Sequence, residues 1–63
     1  MSNTTITRRL AVRGRRYYVT AQLMPNGDWV AKGSCSGAWI QVQAKSDIEA
    51  FNRWLEKAQT QRS

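Results

Sequence analysis

The sequence predicts an α+β fold: an antiparallel sheet of three to four strands packed on one C-terminal α-helix, in the order β-β-β-β-α. Two observations carry that prediction. From Thr5 to Ala44 apolar and polar residues alternate with a period of two, broken at Arg13-Gly14, at Pro25-Asn26-Gly27 and across Gly33 to Gly37. After Ser46 the apolar spacing lengthens to three and four residues, the period of a helix with one buried face. The 63 residues are expected to form a single domain, 1–63, because a unit this short has surface enough for only one core. Residues 1–4 are polar and expected to fray, 5–44 to form the sheet, and 46–60 the helix.

In the first strand Ile6, Leu10 and Val12 share one parity, and Thr5, Thr7, Arg9 and Arg13 the other; Arg8 is the exception on the apolar side. Arg13-Gly14 separates this run from a second, Arg16 to Met24, and glycine supplies the positive φ of a tight turn. A loop of those two residues places Leu10 opposite Tyr17, Arg8 opposite Val19 and Ile6 opposite Ala21, so the apolar parities coincide. Arg9 then faces Tyr18, Ala11 faces Arg16 and Thr7 faces Thr20 on the other side.

Pro25-Asn26-Gly27 has the residues of a three-residue bulged hairpin loop: Pro presets φ and Gly takes the left-handed position. That choice pairs Leu23 with Trp29 and Ala21 with Ala31 and turns Val30 and Lys32 outward. A two-residue Asn26-Gly27 loop reverses those faces. Gly33-Ser34-Cys35-Ser36-Gly37 reads as a five-residue connection to a last strand, Ala38 to Ala44. There Ile40 and Val42 alternate with Trp39, Gln41 and Gln43.

Ser46-Asp47-Ile48-Glu49 has the form of a capping box, in which Ser46 caps the Glu49 N–H and Glu49 reaches back to Ser46. Ile48, Phe51, Trp54 or Leu55, and Ala58 make the expected apolar stripe, with Asn52, Arg53, Glu56 and Lys57 outside it. Glu56 is placed to pair with Arg53 or Lys57.

Ten Lys and Arg against four Asp and Glu give a formal charge of +6 and a pI near 10.5. Arg8, Arg9, Arg13, Arg15 and Arg16 fall in a stretch without a single acid, whereas the segment after Lys45 is nearly balanced. Such clustering points to a directed electrostatic face rather than to solubility alone, and phosphate backbones or acidic protein surfaces are its natural complements.

Catalysis is disfavoured by elimination. Without histidine there is no imidazole base, and no neighbour in sequence activates Ser34 or Ser36. Asp47 and Glu49 suit the first turn of a helix, Asp28 belongs to a turn, and no carboxylate pair emerges. The expectation is a non-enzyme with no cofactor and no metal. One cysteine, Cys35, allows no internal disulfide, and between two serines it reads as inert. No apolar run is long enough to cross a bilayer and the N-terminal residues lack a signal-peptide pattern, so no membrane association and a cytoplasmic location are expected.

Trp29, Trp54 and Tyr17 read as core residues. The candidate nucleic-acid-binding residues are Arg9, Arg16, Tyr18, Lys32 and Trp39 on one sheet face, with Arg13 and Arg15 adding phosphate contacts from the hairpin tip. Arginine forks onto phosphate or guanine, amides pair with adenine, a strand ribbon fits a major groove, and aromatic rings stack on unpaired bases. The plain alternative is a solvated face with Trp39 covered by a partner subunit.

Three strands followed by a helix, with Gly27-Asp28-Trp29-Val30-Ala31 after a turn and Trp39-Ile40 before Ser46-Asp47-Ile48-Glu49-Ala50, resemble the plant AP2-type DNA-binding domain. The layout is similar to the arm-binding domains of phage-type integrases as well. The likeness runs from Arg16 to Ala58 and implies a sheet face in the major groove, with Arg16, Tyr18, Lys32 and Trp39 at the DNA. The alanine-rich helix of the plant family is missing. The spacing of Tyr17, Val19, Gly27, Trp29 and Val30 resembles HicB-type antitoxins, which implies instead a protein that neutralises a partner.

The function expected is a small basic nucleic-acid-binding accessory protein, with DNA favoured over RNA. The alternative is a protein-interaction module, an antitoxin-like inhibitor or assembly subunit, acting through a sheet edge or the Trp39 surface. A sheet of this size has two edges, so a homodimer through a sheet edge is one form that the interaction module could take.

Overall fold

Each of the three turns that the glycines mark closes a hairpin. Arg13 (φ 54°) and Gly14 (φ 81°) both adopt left-handed backbone, as do Ser36 (φ 52°) and Gly37 (φ 83°). Positive φ at both central residues defines the tight turn whose twist matches that of the flanking strands. A computed structural model describes residues 4–60 and joins four strands in sequence order. They are β1 (Thr5–Val12), β2 (Arg15–Leu23), β3 (Trp29–Cys35) and β4 (Ala38–Ala44), all antiparallel, followed by α1 (Asp47–Thr60).

The register matches the pattern of side chains. Leu10 pairs with Tyr17, Arg8 with Val19 and Ile6 with Ala21; Arg9 pairs with Tyr18. Leu23 pairs with Trp29 and Ala21 with Ala31, the outcome of the three-residue loop. The Met24 N–H donates to the Asp28 carbonyl at 2.7 Å and the Gly27 N–H to the Met24 carbonyl at 2.9 Å, which closes that loop around Pro25-Asn26-Gly27.

Three boundaries differ from expectation. The connection between β3 and β4 is two residues, not five: Gly33, Ser34 and Cys35 are strand, with Gly33 opposite Ile40 and Cys35 opposite Ala38. Glycine and serine have low strand propensity, but here the backbone ladder on β4 overrides it. The second strand starts at Arg15 and ends at Leu23, one residue earlier at each end than the pattern suggested. Thr4, expected to fray, accepts a backbone hydrogen bond from Leu23 N–H at 2.9 Å; residues 1–3 lie outside those described.

The helix lies across the apolar side of the sheet. Ser46 Oγ accepts from the Glu49 N–H at 3.1 Å, as a cap should, but Glu49 turns away to Arg53, at 3.0 Å, instead of reaching back. Its buried stripe is Ala50, Phe51, Trp54 and Ala58, with Leu55 at the margin. Ile48, expected in that stripe, is 62% exposed. At about 100° per residue it stands about 120° around the helix from Trp54, and Trp54 has taken the centre.

The core holds Val12, Val19, Ala21, Ala31, Cys35, Ile40 and Ala44 from the strands, with Tyr17, Trp29 and Val42 packed at its edge. Cys35 is buried there as a free thiol. The middle of the sheet is lined by small residues, and Trp54, fully buried, fills the space they leave. Gly33 is the tightest point. A Cβ added there would lie 2.8 Å from the Tyr18 carbonyl oxygen and 3.4 Å from the Trp54 ring. Gly33→Ala is therefore expected to lower stability by about 1–3 kcal/mol through forced backbone displacement. Urea denaturation checks this, as a lower midpoint with an unchanged slope.

Candidate nucleic-acid interface

Strand parity determines which charges share a side. Residues opposite one another across antiparallel strands point the same way, and the buried Val19, Ala21, Ala31 and Ile40 mark the helix side. The other side displays Arg9, Arg16, Tyr18 and Lys32 among Thr7, Thr20 and Gln22, together with Trp39, Gln41 and Gln43 from β4. Arg9 sits opposite Tyr18, Ala11 opposite Arg16, Thr20 opposite Lys32, Lys32 opposite Gln41, and Ser34 opposite Trp39. Five of the seven expected residues thus share one face: Arg9, Arg16, Tyr18, Lys32 and Trp39.

Arg13 and Arg15 do not join them. Arg15 pairs with the buried Val12 and so has helix-side parity at the hairpin tip. Arg13 bends toward the end of the helix, where its guanidinium donates to the Gln59 carbonyl at 2.8 Å. Helix C-termini carry unpaired carbonyls and partial negative charge, so a cation is stabilising there. Arg8, the cation on the apolar parity, lies over the Phe51 ring at 5.4 Å from its centroid. Its stem covers apolar surface while the charge meets the ring face. Neither contact was visible in the sequence, because each joins residues more than forty positions apart.

Among the described residues no strand contributes a carboxylate to the outward face. Asp47, Glu49 and Glu56 lie on α1 and Asp28 in the loop before β3. Asp28 is held in that loop by Asn26 and accepts from the Gln43 amide at 2.7 Å, at the end of the face away from Arg9 and Arg16. Among the described residues the only ion pair is Arg53 with Glu49, on the helix surface; Glu56, the acid expected to pair there, is not part of it. Arg9, Arg16 and Lys32 therefore have no counter-charge among the described residues.

Aromatic residues are divided in the same way. Trp54 is buried and its Nε1–H donates to the Ile40 carbonyl at 3.1 Å; Trp29 packs against the core; the Tyr17 hydroxyl lies 3.2 Å from Ser36 Oγ. Tyr18 is 70% exposed and Trp39 63%, both on the face that holds the unpaired cations. Ser34 and Ser36 have no histidine or carboxylate beside them, and no cluster of metal-ligating side chains occurs among the described residues. Among the described residues no helix is long and apolar enough to cross a membrane.

Compared with protein-family models, curated proteins and solved structures, the chain matches none. The face must be judged by its own chemistry. Because Arg13 serves the helix end, Arg13→Ala is expected to cost about 0.5–1.5 kcal/mol and to speed amide exchange in the last turn of α1. Hydrogen exchange read by NMR checks both, and unchanged protection there would assign Arg13 to solvent.

Proposed function

We propose that the protein is a small nucleic-acid-binding accessory protein that docks its outward sheet face on phosphates, with DNA favoured over RNA. One observation carries the reading. Arg9, Arg16 and Lys32 share a face whose strands carry no acid, while the four Asp and Glu side chains come from the helix or a loop and only Asp28 reaches the face, at its far end. Cations without partners on a rigid strand scaffold attract a polyanion without first breaking an ion pair. The likeness of Arg16 to Ala58 to AP2-type domains supports the same face and is the ground for placing DNA first. Catalysis forms no part of this reading.

Binding should fall steeply with salt. Three phosphate contacts correspond to a loss of roughly 20- to 40-fold between about 50 and 200 mM salt, at 0.7 to 0.9 counterions released per contact. Arg9→Ala, Arg16→Ala and Lys32→Ala should each reduce the salt slope by about one. Fluorescence anisotropy with labelled oligonucleotides measures both quantities. Salt-independent affinity, or full affinity in the triple variant, would refute the proposal.

A second reading, a protein-interaction module, is favoured by the contrast between the two sheet edges. The β1 edge carries Arg8 and Arg9, the kind of charge that blocks edge pairing, whereas β4 carries neither charge nor proline from Ala38 to Ala44. We assign a second copy of the chain to that edge. A groove beside β4 is lined by Gln41, Gln43, Arg53, Glu56 and Lys57, so charges of both signs are available to a two-fold mate. Antiparallel edge pairing would keep both outward faces on one side of a continuous sheet, so the readings are compatible. Sedimentation should show a concentration-dependent dimer. Gln41→Lys, at the middle of β4 where two copies would meet, should shift it to monomer with the fold intact; a wild-type monomer at all concentrations would remove this reading.

A further inference from the structure

We infer that the outward face takes single-stranded nucleic acid, with unpaired bases stacked on Tyr18 and Trp39 and the adjoining phosphates held by Arg9, Arg16 and Lys32. This rests on the proposed nucleic-acid interface and specifies the form of its ligand.

The first support is the allocation of large rings. Trp54, Trp29 and Tyr17 meet the needs of the core, whereas Tyr18 and Trp39 contribute nothing to it and stand exposed on the one face with uncompensated cations. Neither ring is covered by its neighbour in register. Ser34, opposite Trp39, is too short, and the cation–π contact in the structure is made by Arg8 with Phe51 on the other side, not by Arg9 with Tyr18. The Tyr18 hydroxyl and the Trp39 indole N–H make no hydrogen bond among the described residues. Open ring faces beside free guanidinium groups are what unpaired bases stack on, and every base has a π-face to offer.

The second support is width. Four strands at 4.7–4.9 Å spacing span about 14 Å between the outer backbones, and the two shorter extents of the molecule are 17 and 16 Å. A B-form major groove is about 12 Å wide and admits a helix or a two-stranded ribbon. Tyr18 on β2 and Trp39 on β4 stand two strands apart, about 10 Å across the face, so a ribbon of two adjacent strands in the groove does not carry both rings to the bases. Lying on the duplex, the face would meet paired bases whose ring faces are hidden in the stack, and Tyr18 and Trp39 would have no partner. A single strand crossing the sheet meets both the rings and the cations.

The test uses intrinsic fluorescence, because Trp39 is the exposed tryptophan, and anisotropy of labelled probes. The probes are oligo(dT) and oligo(U) of about 12 nucleotides, a duplex of the same length, and an abasic deoxyribose-phosphate strand. Both unmodified single strands should quench Trp39 and bind tighter than the duplex and the abasic strand, by at least the roughly fivefold that one stacked base is worth. Tyr18→Ala and Trp39→Ala should each weaken single-strand binding roughly 5- to 150-fold while leaving the salt slope unchanged, and Tyr18→Phe should retain it. Both positions are solvent-exposed, and unchanged circular dichroism serves as the control for folding. Preference for duplex, equal affinity for the abasic strand, or indifference to the aromatic variants would overturn the stacking inference and leave the phosphate interface standing. Failure of every probe to bind in a salt-dependent way would overturn both. Oligo(dT) and oligo(U) differ in sugar and in the thymine methyl, so any ranking between them leaves shared stacking intact and tells which strand is preferred.

Discussion

The position of Trp54 is the constraint on which the rest of the structure depends. A chain of this size has no disulfide and few large side chains to bury. Gly33, which has no side chain, lets the Trp54 indole lie close against the sheet, and Ala21 and Ala31 are buried in the same core. The indole N–H would be costly to bury unpaired, and the Ile40 carbonyl satisfies it at 3.1 Å. The single hydrogen bond ties the helix to β4 and fixes the rotation of α1 about its axis. Ala50, Phe51 and Ala58 then face the sheet, and Ile48 is turned to solvent.

The same rotation divides the arginines. With Phe51 pointing toward β1, Arg8 finds a ring to cover, and with the end of α1 near the first hairpin, Arg13 finds the Gln59 carbonyl. Two cations of the N-terminal cluster are thereby absorbed into the fold. Arg9 and Arg16 remain because strand alternation turns them to the face the helix does not reach. These four arginines thus form two populations. One stabilises the junction of hairpin and helix, and the other has no partner among the described residues.

Much of this was legible in the sequence where turn chemistry and alternation agree. Gly14 and the Pro25-Asn26-Gly27 loop determine turn length, turn length determines register, and register places Leu10 with Tyr17 and Ala21 with Ala31. Where the chain was misread, the local signal was neutral. Ser36 adopts left-handed backbone without being Asn or Gly, so the two-residue turn after Cys35 was hidden inside a run of small residues. Helical spacing alone put Ile48 in the stripe and left Trp54 and Leu55 as alternatives; the place beside Gly33 that Trp54 takes is set by the sheet, not by the helix's own sequence. The destinations of Arg8 and Arg13 depend on where the helix comes to rest, which no local window contains.

The outward face is the part of the molecule that the fold least explains. A slip of one residue at the Ser36-Gly37 turn would send Trp39 to the helix side and Ile40 outward, so the exposure of Trp39 is determined by turn geometry and not by hydrophobicity. The strands do not need the ring there, since threonine or valine has the same propensity for an exposed strand position. Nor does the core need Tyr18, whose neighbour Tyr17 already supplies the aromatic packing on that strand. Exposed rings of this size are unfavourable to hydrate, and three cations without counter-charge repel one another across the sheet. A surface that lowers the stability of its own fold on both counts becomes favourable once a ligand brings flat apolar rings and negative charge together.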